Sequence, residues 1–187
     1  MKDTNYISEK YRKYLLEVVF EEQKYYTVFG ADLSDNEIDK LLVDTDGNIL
    51  LFPLPHDLFS SIQNRTTFFD NDMLKKWAIE AFDFEKPYAV INLDILSKNT
   101  FYLNDVQLLK SIYGTLGIIE DYAYQIGDKS LLALMEKDVL LQFQDSLSDY
   151  FIWSENKALK IPVDANILYL SLKEVYERVK EKLYIYQ

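Results

Sequence analysis

DVQLLKSIYGTLGIIEDYAYQIGDKSLLALMEKDVLLQFQDSLSDYFIW, residues 105 to 153, holds the longest sustained helical pattern in the chain. Val106, Leu109, Ile112, Leu116 and Ile119 recur in it at steps of three and four, which puts them on one face of a helix. Asn104 is placed to cap that helix, with Gln107 three residues on as a capping-box partner. Gly127 suits its end and Asp128 suits the cap of a second helix, in which Leu132, Met135, Val139, Phe143 and Leu147 keep the same spacing. Two antiparallel helices joined by a Gly-Asp turn are expected to bury their apolar faces together. Gly114 and Gly117 each cost about 1 kcal/mol relative to Ala in a helix, so a closely packed neighbour is expected there.

Working outward, residues 8 to 22 read as a helix with Tyr11, Tyr14 or Leu15, Val18 and Val19 on one side. Residues 24 to 31 (KYYTVFGA) are aromatic and β-branched and read as a strand. Ser34 followed by Glu37 is a capping-box signature for a short helix with Ile38, Leu41 and Leu42 inside, although residues 41 to 43 also read as a strand. Residues 41 to 52 (LLVDTDGNILLF) carry apolar runs on both sides of Asp46-Gly47, the hairpin-turn dipeptide. Pro53 and Pro55 stop the second run, and residues 56 to 69 form a connection with a helical turn at 58 to 62. Residues 70 to 82 read as a helix capped by Asp70, Asn71 or Asp72, with Leu74, Trp77, Ala78 and Ala81 inward.

Residues 88 to 96 (YAVINLDIL) alternate as a half-buried strand, with Ile91, Leu93 and Ile95 on the apolar face. Beyond Trp153 a polar turn leads to a short edge strand at 160 to 163. A final helix over 166 to 186 carries an inner stripe of Leu168, Leu172, Val175 or Tyr176, Val179 and Leu183, with Glu174 and Arg178 in the favourable i, i+4 order. Strands lie mostly in the first hundred residues and helices dominate the rest. The expected class is therefore α+β, a small antiparallel sheet from the N-terminal half packed with a predominantly helical C-terminal half.

Hydrophobic residues make up 49% of the 187 and aromatic residues 15%, enough for a core and too many for a disordered chain. One globular domain over 1–187 is expected. The absence of cysteine excludes disulfides, thiolate nucleophiles and Cys-bound zinc. Without a long apolar run, the chain is expected to have neither a secretory leader nor a membrane span, and to be cytoplasmic.

A net charge of −11 repels nucleic acid and anionic membranes and favours a basic protein as partner. The charge is bunched. Residues 32 to 57 hold seven acids and one base, a net of −6, and residues 120 to 155 hold eight acids and two bases, again −6. Candidate partner-binding residues are Asp32, Asp35, Glu37 and Asp39 in the first window. In the second they are Glu120, Asp121, Tyr122, Asp145, Asp149, Tyr150 and Trp153, where aromatic side chains interleave with acids.

Residues 41 to 50 (LLVDTDGNIL) also resemble the first motif of haloacid dehalogenase-like phosphatases, a short apolar strand ending in Asp-x-Asp-Gly. The resemblance implies Asp44 as nucleophile, Asp46 as general acid and base, and a bridging Mg²⁺. Asn48 stands where that family carries Thr or Val, and the residues by themselves read as a hairpin turn. His56, the one histidine, can pair with Asp57 as a base or stand exposed in a loop. No catalytic set, metal site or cofactor is otherwise indicated, and nothing specifies an oligomeric state. The expected function is a small acidic binding protein that occludes a basic partner. A bacterial toxin immunity protein, antidote to a nuclease-type toxin, comes first; the alternatives are a phage-encoded inhibitor of a bacterial defence nuclease and the Mg-dependent phosphatase.

Overall fold

A computed structural model describes residues 4–153 and 159–186; the polar turn expected after Trp153 falls on 154–158, outside the described residues. The fold is α+β. Two compact units result, one running to Ile91 and rejoined by the segment from Lys182, the other formed by Asn92–Glu181. None of the described helices is long and apolar enough to cross a membrane.

The first unit opens with α1 (Thr4–Tyr11), followed by β1 (Lys13–Phe20), β2 (Gln23–Asp32), β3 (Ile38–Leu41) and β4 (Ile49–Leu51). Here the helix expected through residue 22 is corrected. Arg12 takes a left-handed φ of 51° and ends α1, and the apolar run that follows enters a strand. Leu15, Leu16, Val18 and Phe20 are all buried, so the run buries apolar side chains from both faces and satisfies helical and strand periods alike. The hairpin decides between them. Glu21 and Glu22 both have positive φ, at 50° and 61°, as a two-residue turn between paired Phe20 and Gln23 requires. Gly30, opposite Lys13, lies where a Cβ would stand 2.1 Å from the Arg12 carbonyl oxygen, so only glycine fits there.

Residues 34 to 37 form a turn rather than a helix start, and β3 pairs antiparallel with β2. The Asp46-Gly47 turn is present, with Gly47 at φ 79° and Val43 bridged antiparallel to Ile49. Its second arm then departs from a simple hairpin, because β4 pairs in parallel with β6 (Leu183–Ile185), where a helix through 186 was expected. The connection after Pro53 is more regular than expected, being α2 (Pro55–Asn64) with Pro55 in the first turn, where its missing N–H costs nothing. In α3 (Asn71–Glu80) Leu74, Trp77 and Ala78 are buried as the spacing predicts, and Ala81 at its C-cap is buried too. Phe59 meets Trp77 edge to face at 5.3 Å in the same core. The four-stranded sheet runs β3-β2-β1-β5, with β5 (Ala89–Asn92) on the far edge. Beyond Asn92 the expected strand gives way to a 3-10 turn, Leu93–Ile95, which still buries Leu93 and Ile95.

The second unit is helical. Its longest element is α4 (Val106–Ile126), which buries Leu109, Ile112, Leu116 and Ile119. Its cap is Asp105, whose carboxylate accepts from the Leu108 N–H at 3.0 Å; the expected cap, Asn104, lies one residue too early. Gly127, at φ 65°, closes it and Asp128 caps the next helix as expected. Gly114 and Gly117 face open space, since a Cβ on either would meet nothing within 4 Å.

The second helix of the pair is two helices, α5 (Lys129–Met135) and α6 (Asp138–Phe151), separated by an extended Lys137. Burial explains the break. Leu131, Met135, Leu140, Phe143 and Leu147 are buried, and the five-residue step from Met135 to Leu140 fits no unbroken helix. Residues 160 to 163 form no strand. The last helix, α7 (Ala165–Lys180), is capped by Asp164 and buries Leu168, Leu172, Val175, Tyr176 and Val179. Glu174 and Arg178 do not pair with each other; Glu174 pairs with Lys137, and Arg178 with Asp128 and Glu181.

Candidate functional site

In the first acidic window the β2–β3 hairpin arranges the candidates around two cations. Asp32 ends β2 and is only 4% exposed. Its carboxylate accepts from the Ser34 N–H at 3.0 Å and hydroxyl at 2.6 Å, and from Lys40 Nζ at 2.9 Å. Burial alone would raise its pKa, but these hydrogen bonds and the Lys40 charge hold it below the ordinary value. Asp35 takes the same ammonium at 2.7 Å, and Glu37 takes Arg12 Nη1 at 2.6 Å. Exposed Asp39, on β3, adds its charge to the field that raises the Arg12 pKa, behind the larger effect of Glu37. Three of the four acids thus pair with these two bases, and Asp32 faces inward, away from any partner.

Asp44 serves its own turn. Its Oδ1 accepts from the N–H groups of Asp46 and Asn48 at 2.9 and 2.8 Å, and its Oδ2 from Asn48 Nδ2 at 2.9 Å. Burial opposes ionisation there, yet the Asn48 and Asp46 donors win and the pKa is lowered. Such a carboxylate is oriented by the loop it closes. Asn48, where the dehalogenase-like motif has Thr or Val, supplies two of those three bonds. Among the described residues no group of three or more His, Asp and Glu is placed to hold a metal ion. His56 lies in the first turn of α2 with its ring edge-on to Phe82 at 4.6 Å. Its Nδ1 is 3.9 Å from Asp57 Oδ1, too long for a hydrogen bond.

The second window divides by helix. On α4, Tyr122 is fully buried and belongs to the core, which removes it from the candidate surface. Glu120 and Asp121 beside it are half-buried. Asp128 is committed to structure: it caps α5 and accepts both Nε and Nη2 of Arg178, at 3.1 and 2.8 Å. Glu155 lies outside the described residues.

On α6 the arrangement is different. Its inner stripe is Leu140, Phe143 and Leu147, and its outer stripe is Asp138, Leu141, Asp145, Asp149 and the C-cap Ile152, again at steps of three and four. Asp138, Asp145 and Asp149 are exposed, and no hydrogen bond or ion pair engages any of them among the described residues. Trp153 follows at 76% exposure, while Tyr150 is half-buried with its ring 5.2 Å from Phe151. The pattern that finds Leu141 and Ile152 is present in the sequence as a second stripe opposite the core-facing one. It is easily passed over because apolar residues at helical spacing point first to a core.

No protein-family model matches the sequence, and no curated protein matches it. One solved structure shares the fold. It is described as the crystal structure of the SatS C-terminal domain in complex with bromine, and it superposes with a TM-score of 0.62 at 13% identity, over 96% of each chain. At that identity the likeness extends to the fold and no further.

Proposed function

We propose that this chain is an acidic binding protein that inhibits a basic partner by occlusion, and specifically an antidote to a nuclease-type toxin. One observation carries the reading. The outer stripe of α6 presents three carboxylates, unpaired among the described residues, together with Leu141, Ile152 and the nearby Trp153, all exposed. Apolar and aromatic anchors ringed by charge of one sign form the composition from which protein interfaces draw affinity and selectivity. A nuclease grips phosphate through cations, so a row of carboxylates on a rigid helix can occupy that grip in place of substrate. An inhibitor of a phage-targeting nuclease would use the same surface, and the identity of the neutralised enzyme separates the two.

Protection is the test. Cells expressing this chain with the nuclease domain of a toxin encoded beside it should survive, and the purified chain should stop phosphodiester hydrolysis at equimolar ratio. Asp145→Lys with Asp149→Lys should weaken inhibition by at least about tenfold at low salt, where steering is least screened. Full nuclease activity in the presence of excess chain would end the antidote reading.

A further inference from the structure

Beside the outer stripe of α6, a groove of about 540 Å³ runs between α6 and α7. Its apolar lining comes from Val139 on α6, Pro162 and Val163 before α7, and Ile167 and Leu170 on α7. Ile167 and Leu170 are one helical turn apart and remain 54% and 64% exposed. Walls that open cannot enclose a small ligand, which is normally buried over most of its surface; they suit an occupant that covers them from outside. Large apolar side chains left open side by side mark a place where another chain sits.

Charge says what kind of chain. The lining holds three acids, Asp138, Asp164 and Glu174, against one base, Lys137. Lys137 is committed to Glu174 in an ion pair across the two helices, and Asp164 caps α7 through the Asn166 and Ile167 N–H groups. Asp138 remains unpaired among the described residues, and it also begins the outer stripe that continues to Asp145 and Asp149. An apolar floor bordered by negative charge on one helix is complementary to an amphipathic helix with an apolar stripe and a lysine- or arginine-rich flank.

We propose that the α6–α7 groove seats such a basic amphipathic helix of the partner. Its apolar stripe rests on Ile167, Leu170 and Val139, and its cationic flank lies toward Asp138 and the α6 acids. This rests on the basic-partner reading above and adds to it the element that is grasped.

The test uses the full chain and two synthetic helical peptides with leucine at i, i+3, i+4 and i+7, one with lysine at the remaining positions and one with glutamate. Titration calorimetry at low salt should show binding of the lysine peptide alone. Ile167→Asn with Leu170→Asn, at positions already open to water, should weaken it by at least about tenfold, and Ile167→Ala with Leu170→Ala by less. If both groove variants bind the lysine peptide as the parent does while Asp145→Lys with Asp149→Lys weakens it, the groove assignment falls and the acidic face stands. If the groove variants lose binding and the α6 reversal changes nothing, the groove stands and the acidic face falls. Equal binding of the glutamate peptide overturns the charge argument. A concentration-dependent dimer in sedimentation that Ile167→Asn with Leu170→Asn abolishes would overturn the proposal in favour of a second copy of this chain.

Discussion

Residues 32 to 57 and residues 120 to 155 carry the same net charge of −6, yet the fold uses them differently. In the first, Asp32 and Asp35 share Lys40, Glu37 holds Arg12, and Asp44 closes its own turn. In the second, Asp128 is tied to Arg178, but Asp138, Asp145 and Asp149 stay exposed and unpaired among the described residues. Net charge along a stretch therefore does not measure charge available to a partner. What decides is whether the local topology brings a cation within about 4 Å, where the interaction is worth forming. Around the β2–β3 hairpin, Lys40 and Arg12 reach Asp32, Asp35 and Glu37, while Asp39, Asp46 and Asp57 stay exposed; on the outer face of α6 no cation among the described residues reaches any of the three carboxylates.

The largest expected effect tests how far charge is structural in the first unit. Lys13 is fully buried, its ammonium 2.7 Å from Asp70 Oδ2 and also donating to the Ala31 carbonyl. Lys13→Met leaves Asp70 buried and unpaired, which should cost about 3–5 kcal/mol in urea unfolding. Adding Asp70→Asn should recover part of that, and a loss below about 1 kcal/mol would show the charges of this unit to be interchangeable with water. Next, Asp128→Ala removes a helix cap and a two-bond contact with Arg178, for a loss of about 2–3 kcal/mol. That would separate structural from free acids inside the second window.

A smaller effect is read through pH. Asp32 and Asp44 are held below their ordinary value of 3.8, so the native state resists their protonation more than the unfolded chain does. The stability they contribute is present above that value and is lost as pH falls through the folded one. Asp32→Asn and Asp44→Asn should each cost about 1–2 kcal/mol at neutral pH by weakening charge-assisted hydrogen bonds. They should also flatten the decline in stability below pH 3.8. Smallest of all, Asp145→Lys with Asp149→Lys should shift unfolding by less than about 0.5 kcal/mol, as surface changes do.

Legibility followed the range of the forces involved. Gly127 and Asp128 end one helix and start another through bonds within a few residues, and both were readable. So was the inward face of α3, where Leu74, Trp77, Ala78 and Ala81 keep one period. Residues 13 to 20 were not, because a run that buries apolar side chains from both faces fits either period until Glu21 and Glu22 form a turn and β2 arrives as partner. Lys137 likewise breaks a pattern that looks continuous, and only the burial of Leu140 shows why. Of the candidate surface, Asp145, Asp149 and Trp153 lie outward, while Asp32 and Tyr122 are buried.

Composition and periodicity by themselves determined the α+β class, the Gly127–Asp128 junction, the Asp46-Gly47 turn and the two tracts of negative charge, since each depends on side chains close together along the chain. Which acids stay in water was decided only in three dimensions. Arg12 lies 25 residues from Glu37 and Arg178 lies 50 from Asp128, and no local pattern encodes such pairings. Coulomb attraction at contact distance acts on positions in space, and those are set by how the strands and helices pack.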